Sequence, residues 1–220
     1  MSQGVFDLGR DFWSTNERAT LRYVITKGAE TRAAILDEAV LVVSRVGFSD
    51  LTIGQLAEQT QMSKSGLFAH FKSKEQLQLD TLEHARRRFV DLVVRPALSA
   101  ERGEPRVRTL FEGWLEWASS SLDGGCIFVA ASAELDDRPG ELRDALVRSE
   151  TDWLELLATV ARAAVAEGHF SSDLDAEQFA FQVHGVMLAY HHARRLLRDE
   201  AAGMRARTAF DAVLVAARGT

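Results

Sequence analysis

Apolar residues recur every three to four positions through most of the chain, with polar residues filling the intervals, which is the period of helices that bury one face. Ile35, Leu36, Ala39, Val40, Val43 and Val46 form the first clear stripe, and Gly47 with Phe48 closes it in the manner of a helix C-cap. A second stripe runs through Leu77, Leu82, Ala85, Phe89, Leu92 and Val93, and is expected to stop at Arg95-Pro96, because proline disfavours helix in its predecessor. Val107, Leu110, Phe111, Trp114, Leu115 and Ala118 make a third, closed by Asp123-Gly124-Gly125. Cys126 to Ala133 is apolar all round, which predicts a buried central helix; a buried strand is the competing reading, opposed by the alanines and the helical neighbours. Beyond the break at Asp136-Asp137-Arg138-Pro139-Gly140, a long stripe from Leu142 through Leu146, Trp153, Leu157, Val160 and Ala164 reaches Gly168. Two more follow, from Asp175 to Arg198 and from about Met204 onward. No segment reads as a convincing strand, so the fold class is all-α.

Between the first two stripes the pattern tightens. Thr52, with Gln55 three positions on, reads as a capping box, and Leu51 before it can staple onto Leu56. Ser63 caps the next helix, where Met62 can staple onto Leu67, and Ser73 with Gln76 forms a second capping box that opens a long helix. Helices this short are unstable alone and must pack on the preceding stripe. Three helices around one small core, the last short and N-capped, is the arrangement that lays a recognition helix in the major groove. Projection at about 100° per residue puts Leu67, Phe68 and Phe71 on one side of that helix and Ser65, Gly66, Ala69 and His70 on the other. Small residues on the free side let the backbone approach the bases, and Lys64 on the flank reaches a base edge or a phosphate.

The run Ser63-Lys64-Ser65-Gly66-Leu67-Phe68-Ala69-His70-Phe71-Lys72-Ser73-Lys74-Glu75 resembles the DNA-binding signature of the tetracycline-repressor (TetR) family of bacterial transcription regulators, and the likeness extends from Thr31 to Leu77. The resemblance implies that Thr52, His70 and Lys74 hold phosphates and that Lys64, Ser65 and Ala69 face the bases, with Gly66 and Phe68 in the same surface. Two residues depart from the family pattern. Phe68 stands where a tyrosine usually offers its hydroxyl to phosphate. Gln61 stands where a turn glycine is usual, and a side chain resists positive φ. The resemblance further implies a division into an N-terminal extension (1–30), a helix-turn-helix domain (31–77) and a helical ligand-binding and dimerisation domain (78–220). The expected partners are a double-stranded DNA operator with inverted repeats, a second copy of the chain, and a small apolar effector that releases a repressor from DNA.

Composition is consistent with this. The chain has 220 residues, 46% hydrophobic and 26% charged, enough for a small module and a larger core. No run approaches a membrane span and the amino terminus lacks a signal pattern, so a cytoplasmic protein is expected; the one cysteine, Cys126, fits a reducing compartment. A net charge of -6 argues against a protein that coats nucleic acid but not against a local basic surface. Arg22, Lys27, Arg32, Arg45, Lys64, Lys72 and Lys74 lie in or beside the binding module, whereas Glu101, Glu104, Glu112, Glu116, Asp136, Asp137, Glu141 and Asp144 lie beyond it. In the extension, Phe6, Leu8, Phe12, Trp13, Leu21, Tyr23, Val24 and Ile25 predict docking rather than a plain tail, with an arm on DNA as the alternative.

No catalytic residue emerges. Asp136-Asp137 sit in a Pro-Gly turn, where acids cap helices. His184, His191 and His192 raise the question of a metal, but His184 and His191 have no carboxylate or Cys at ligand spacing, so neither metal nor cofactor is expected. Cys126 has no charged sequence neighbour and reads as an inert packed thiol. Aromatic density singles out Phe111, Trp114, Trp117, Phe128 and Trp153 as a candidate effector pocket between helices. The stripes around Phe179, Val183, Met187 and around Phe210, Val213, Leu214 are the candidate dimer surface. The competing functional reading is a helical small-molecule-binding protein or enzyme that keeps the hairpin only as packing.

Overall fold

The computed structural model describes residues 15–122 and 124–219 and, for residues 15–27, 120 and 121, the backbone alone. Among these residues every regular element is helical: α1 (Thr15–Val46), α2 (Ile53–Thr60), α3 (Lys64–His70), α4 (Lys74–Phe89), α5 (Arg95–Ser99), α6 (Glu104–Glu116), α7 (Ile127–Leu135), α8 (Glu141–Ala166), α9 (Ala176–Arg195) and α10 (Ala202–Arg218). Phe6, Leu8, Phe12 and Trp13 lie outside the described residues. From Thr15 the extension is already the first half of α1, so the backbone passes residue 30 without a break.

The short helices form because each is capped and each buries one face. Thr52 Oγ1 accepts from Gln55 N at 3.1 Å, Ser63 Oγ from Gly66 N at 3.1 Å, and Ser73 Oγ from Gln76 N at 3.1 Å. The second capping box is only half made, since the Gln76 amide turns forward to Asp80 Oδ1 at 3.1 Å. Ile35, Leu36, Ala39, Val40 and Val43 from α1 close over Leu51, Leu56, Leu67 and Phe71, all essentially sealed from solvent. Val46 departs from its stripe and is exposed, because α1 ends there and Gly47, at φ 82°, turns the chain away.

The connecting helix does not stop at Arg95-Pro96. Residues Val90–Val94 form a π-helical turn in which the Arg95 N–H reaches the carbonyl of Val90, and α5 continues to Ser99. The wider turn puts Pro96 in the first turn of α5, where a missing N–H leaves no bond unmade. A second π-helical turn, Trp117–Ser121, extends α6. In the larger domain α9 packs on both α8 and α10, α4 lies against both α1 and α8, and α7 bridges α8 and α1. The apolar helix α7 is buried along Ile127, Phe128, Ala131 and Leu135, while Ser132 and Ala133 face solvent, so it is a one-sided helix and not a central one.

The two domains are clamped together at the end of α1. The Glu134 carboxylate on α7 accepts from the backbone N–H groups of Phe48, at 2.7 Å, and Ser49, at 2.5 Å. Gln78 Nε2 donates to Phe48 O at 2.7 Å and Arg138 Nη1 to Ser49 Oγ at 2.5 Å, while Lys74 Nζ, from the helix-turn-helix segment itself, donates to Ser49 O at 2.7 Å. Nearby, Gly124 N donates to Ser44 Oγ at 3.2 Å, and a Cβ on Gly124 would fall 1.6 Å from the Ser44 carbonyl oxygen. Only glycine fits where those two backbones meet.

Candidate functional site

The α2–α3 corner explains how Gln61 substitutes for glycine. Its backbone is left-handed, φ 55° and ψ 29°, and closes a Schellman motif: Gln61 N donates to Glu58 O at 3.3 Å and Met62 N to Ala57 O at 3.0 Å. The strained conformation is thus held by two bonds that end α2 and aim α3. On α3, Lys64, Ser65, Phe68 and Ala69 are exposed, Gly66 and His70 are half-buried, and Thr52 stands exposed at the start of α2. Phe68 corrects the helical projection: it is 54% exposed and shares the outer face with Ser65 and Ala69, leaving Leu67 and Phe71 to seal the core. Its ring is therefore presented to solvent where the family pattern presents a phenol. Gly66 has a second reason to be glycine, since a Cβ would press to 3.2 Å on the capping Ser63 hydroxyl. Lys64 lies back along α2, its Cε 3.5 Å from where a Gly54 Cβ would be.

Several basic residues near this face are committed within the chain. Lys74 donates to the Ser49 carbonyl, and Arg32 pairs with Asp80 at 2.5 Å while lying 5.2 Å from the centre of the Phe71 ring. Arg86, Arg87 and Arg88 pair with Glu83, Glu83 and Asp37, so that tract too is tied up in ion pairs within the chain.

A cavity of about 40 Å³ opens between α4, α6, α7, α8 and α9, lined by Arg86, Phe89, Trp114, Cys126, Phe128, Val129, Ser149, Glu150, Trp153 and His184. Three of the five predicted pocket aromatics, Trp114, Phe128 and Trp153, are in its wall. Phe111 is not; it stacks on Phe210 at 3.9 Å between ring centres and holds α6 to α10. Trp117 is not either; it packs behind the wall, 5.4 Å from Phe89 and 6.3 Å from Phe128. Phe89 is the hub, edge-to-face with Trp117, Phe128 and Trp153.

The polar lining was not foreseen. Glu150 on α8 and His184 on α9 face each other, Oε2 to Nε2, at 3.8 Å, so the carboxylate absent from the sequence neighbourhood of His184 comes from another helix. Burial pushes the Glu150 carboxyl up from the ordinary range and the His184 imidazole down. Helical register could have found both, since Glu150 shares a face with Leu146, Trp153 and Leu157, and His184 with Ala180 and Met187. Cys126, fully buried, has its thiol pushed up to about 11 by desolvation, as an inert packed thiol should. Among the described residues no group of His, Cys, Asp and Glu has the arrangement of a metal site, and no helix is long and apolar enough to cross a membrane.

The predicted dimer residues are mostly spent on the chain's own core. Phe179, Val183, Met187, Phe210 and Leu214 are buried, and only Val213 borders the outside. The outward face of α9 and α10 instead carries a groove floored by Gly185, Val186, Ala189, Ala193, Ala206 and Ala209, with Phe181, Leu188, Leu197, Met204 and Val215 exposed on the same two helices or just beyond α9.

Residues 35–80 match the family described as bacterial regulatory proteins, tetR family, and residues 103–210 match the tetracyclin repressor-like C-terminal domain. The HTH-type transcriptional regulator SrpR of Pseudomonas putida is 25% identical over 155 residues, 70% of each chain. A TetR transcriptional regulator from Chloroflexus aurantiacus superposes with a TM-score of 0.77 at 22% identity, over 86% of this chain and 95% of that one. AibR, solved with isovaleryl coenzyme A and operator DNA, superposes with a TM-score of 0.64 at 19% identity, over 82% and 98%. With both family segments in order along one chain, and a capped recognition helix exposed at the expected place, the chain belongs to the TetR family of bacterial transcription regulators.

Proposed function

We propose that the chain is a homodimeric repressor that reads an inverted-repeat operator through α3 and leaves it when a small molecule enters the cavity at Phe89. The observation that carries this reading is α4 itself. Its first residue, Lys74, holds the loop before α2, and its last turn supplies Arg86 and Phe89 to the cavity wall. A ligand that shifts Phe89 therefore acts on the same helix that packs on α1 and pins the loop before α2, the helix on which α3 packs. The structural relative AibR, with both an acyl coenzyme A and operator DNA, gives a precedent for the two sites in one fold.

Lys64, Ser65 and Ala69 face bases in this reading, with Thr52 and His70 on phosphates and Phe68 against sugar or a thymine methyl. Genomic fragments retained by the purified protein are expected to contain inverted repeats with half-sites about 34–36 Å apart or a multiple of that. Lys64→Ala is expected to change preference at particular base pairs, each worth about 1–3 kcal/mol, while affinity keeps falling with salt. Retention of the same fragments, with the same base preferences, by a Lys64→Ala, Ser65→Ala double variant would remove α3 as the reading helix.

A further inference from the structure

We propose that the cavity at Phe89 selects a compact organic ammonium cation, held by the Glu150 carboxylate among the aromatic side chains of Trp114, Phe128 and Trp153. The inference rests on the preceding section for its effect on DNA, not for the identity of what binds.

The wall is aromatic and the rings are set crosswise. Phe89 meets Phe128 at 73° and Trp153 at 84°, so they form the sides of a box and not a stacked slab. Such a lining attracts cations through the ring quadrupoles, and more strongly when water is excluded. Among the described residues, the acid set in it has no Lys or Arg partner. Glu150 faces the imidazole of His184, at 3.8 Å, which burial disfavours as imidazolium. The other positive group in the lining, Arg86 on α4, is drawn outward to Glu83 at 3.0 Å, with Asp152 of α8 adding to the acidic side of that mouth. Cys126, the remaining titratable group, is an un-ionised thiol.

Burial raises the cost of an ionised carboxylate in this position, and a cation brought by the ligand offsets that cost. An anion meets the carboxylate as a like charge, and a neutral guest brings no charge to offset its burial. Size narrows the class further. Drug-sized ligands need about 300–1,000 Å³, an order more than this cavity offers, so the seated part is a small amine or an alkylammonium head. A surface groove lined by Glu83, Arg86, Arg148, Ser149 and Asp152 shares Arg86 and Ser149 with the cavity and marks a route in between α4 and α8.

The test uses four probes of similar bulk at matched ionic strength: tetramethylammonium, n-butylammonium, 1-butanol and butyrate, with tryptophan fluorescence of the full chain as readout. At least one cation is expected to bind about tenfold or more tightly than 1-butanol, with butyrate weakest. Stronger tetramethylammonium binding would assign the selectivity chiefly to the rings, and stronger butylammonium binding chiefly to the carboxylate; both support the class. Glu150→Gln is expected to abolish the preference for the cation while leaving 1-butanol unchanged, and Glu150→Asp to retain it in part. The proposal is overturned if 1-butanol or butyrate matches the cations, if no probe binds at millimolar concentration, or if Glu150→Gln keeps the preference. Because the probe comparison is made on the unaltered chain, it stands even if a variant fails to fold. Operator gel shifts with the same probes separate the two readings. Cation-selective binding without release from DNA leaves the ligand class intact and removes the effector role; release by a neutral compound with no cation preference does the reverse.

Discussion

Glu150 and His184 are both pushed by burial toward their neutral forms, and they pull stability in opposite directions as pH changes. For Glu150 the folded chain holds its proton longer than the unfolded chain, so folding stability falls as pH rises from the usual carboxylate range through the raised value. For His184 the unfolded chain takes up a proton first, so stability is lost as pH falls through the ordinary imidazole range toward the lowered value. Glu150→Gln is therefore expected to gain on the parent as pH rises above the usual carboxylate range, as followed by urea unfolding without ligand. A constant or shrinking difference would mean that the carboxyl is not held protonated. Helical register marks each of the two as a polar residue on an apolar face, but their pairing is not legible in sequence because they come from different helices. Phe68 was misplaced for a simpler reason. It sits on the flank of a seven-residue helix, about 80° from the middle of the Leu67–Phe71 arc at about 100° per residue, where projection alone cannot decide. Thr52, Ser63 and Ser73 were legible because a cap is a local device, made within four residues of its own position.

At the scale of elements, the helices and their order follow from the 3.6-residue pattern, whereas what stops them depends on partners. Pro96 should have ended the connecting helix and did not, because the π-helical turn before it shifts the register by one residue. The run from Cys126 to Ala133 looked central because it is uniformly apolar, but composition does not reveal how many neighbours a helix has. The contact between α7 and the loop after α1 was invisible for the same reason, since Glu134 and Phe48 are far apart along the chain. Hydrogen bonds to a charged group contribute about 1.5–3 kcal/mol each when buried, and the exposed Ser49 end of this one brings the expectation to the lower part of that range. Glu134→Ala is expected to lower the urea midpoint and to raise hydrogen exchange at the Phe48 and Ser49 amides while α8–α10 keep their protection. Unchanged exchange at those two amides would show that the carboxylate does not hold the loop.

For the whole molecule, a strong apolar stripe marks the side of a helix that faces its own core first, and Phe179, Val183, Met187, Phe210 and Leu214 are buried there. The face left over is quieter in sequence, with glycine and alanines that let two helix pairs approach closely and Leu197 exposed at its edge. If it joins two copies, Ala189→Arg is expected to give a monomer by sedimentation and to lose operator binding without lowering the unfolding midpoint of the monomer. A dimer that persists would place the twofold elsewhere. The junction between Gly124 and Ser44 has a consequence for exchanging parts between relatives. The seam between the reading head and the rest is not a point on the chain near residue 77 but a surface, crossed by Gly124, Glu134 and Arg138 on one side and by residues 44–49 on the other. A hybrid that takes its first 80 residues from one protein and the remainder from another would set a foreign α1 against Gly124, where not even a methyl group can be admitted. If α3 reads the operator as proposed, re-targeting is a matter of repainting its outer face, and grafting a whole head would have to carry the matching patches of the body with it.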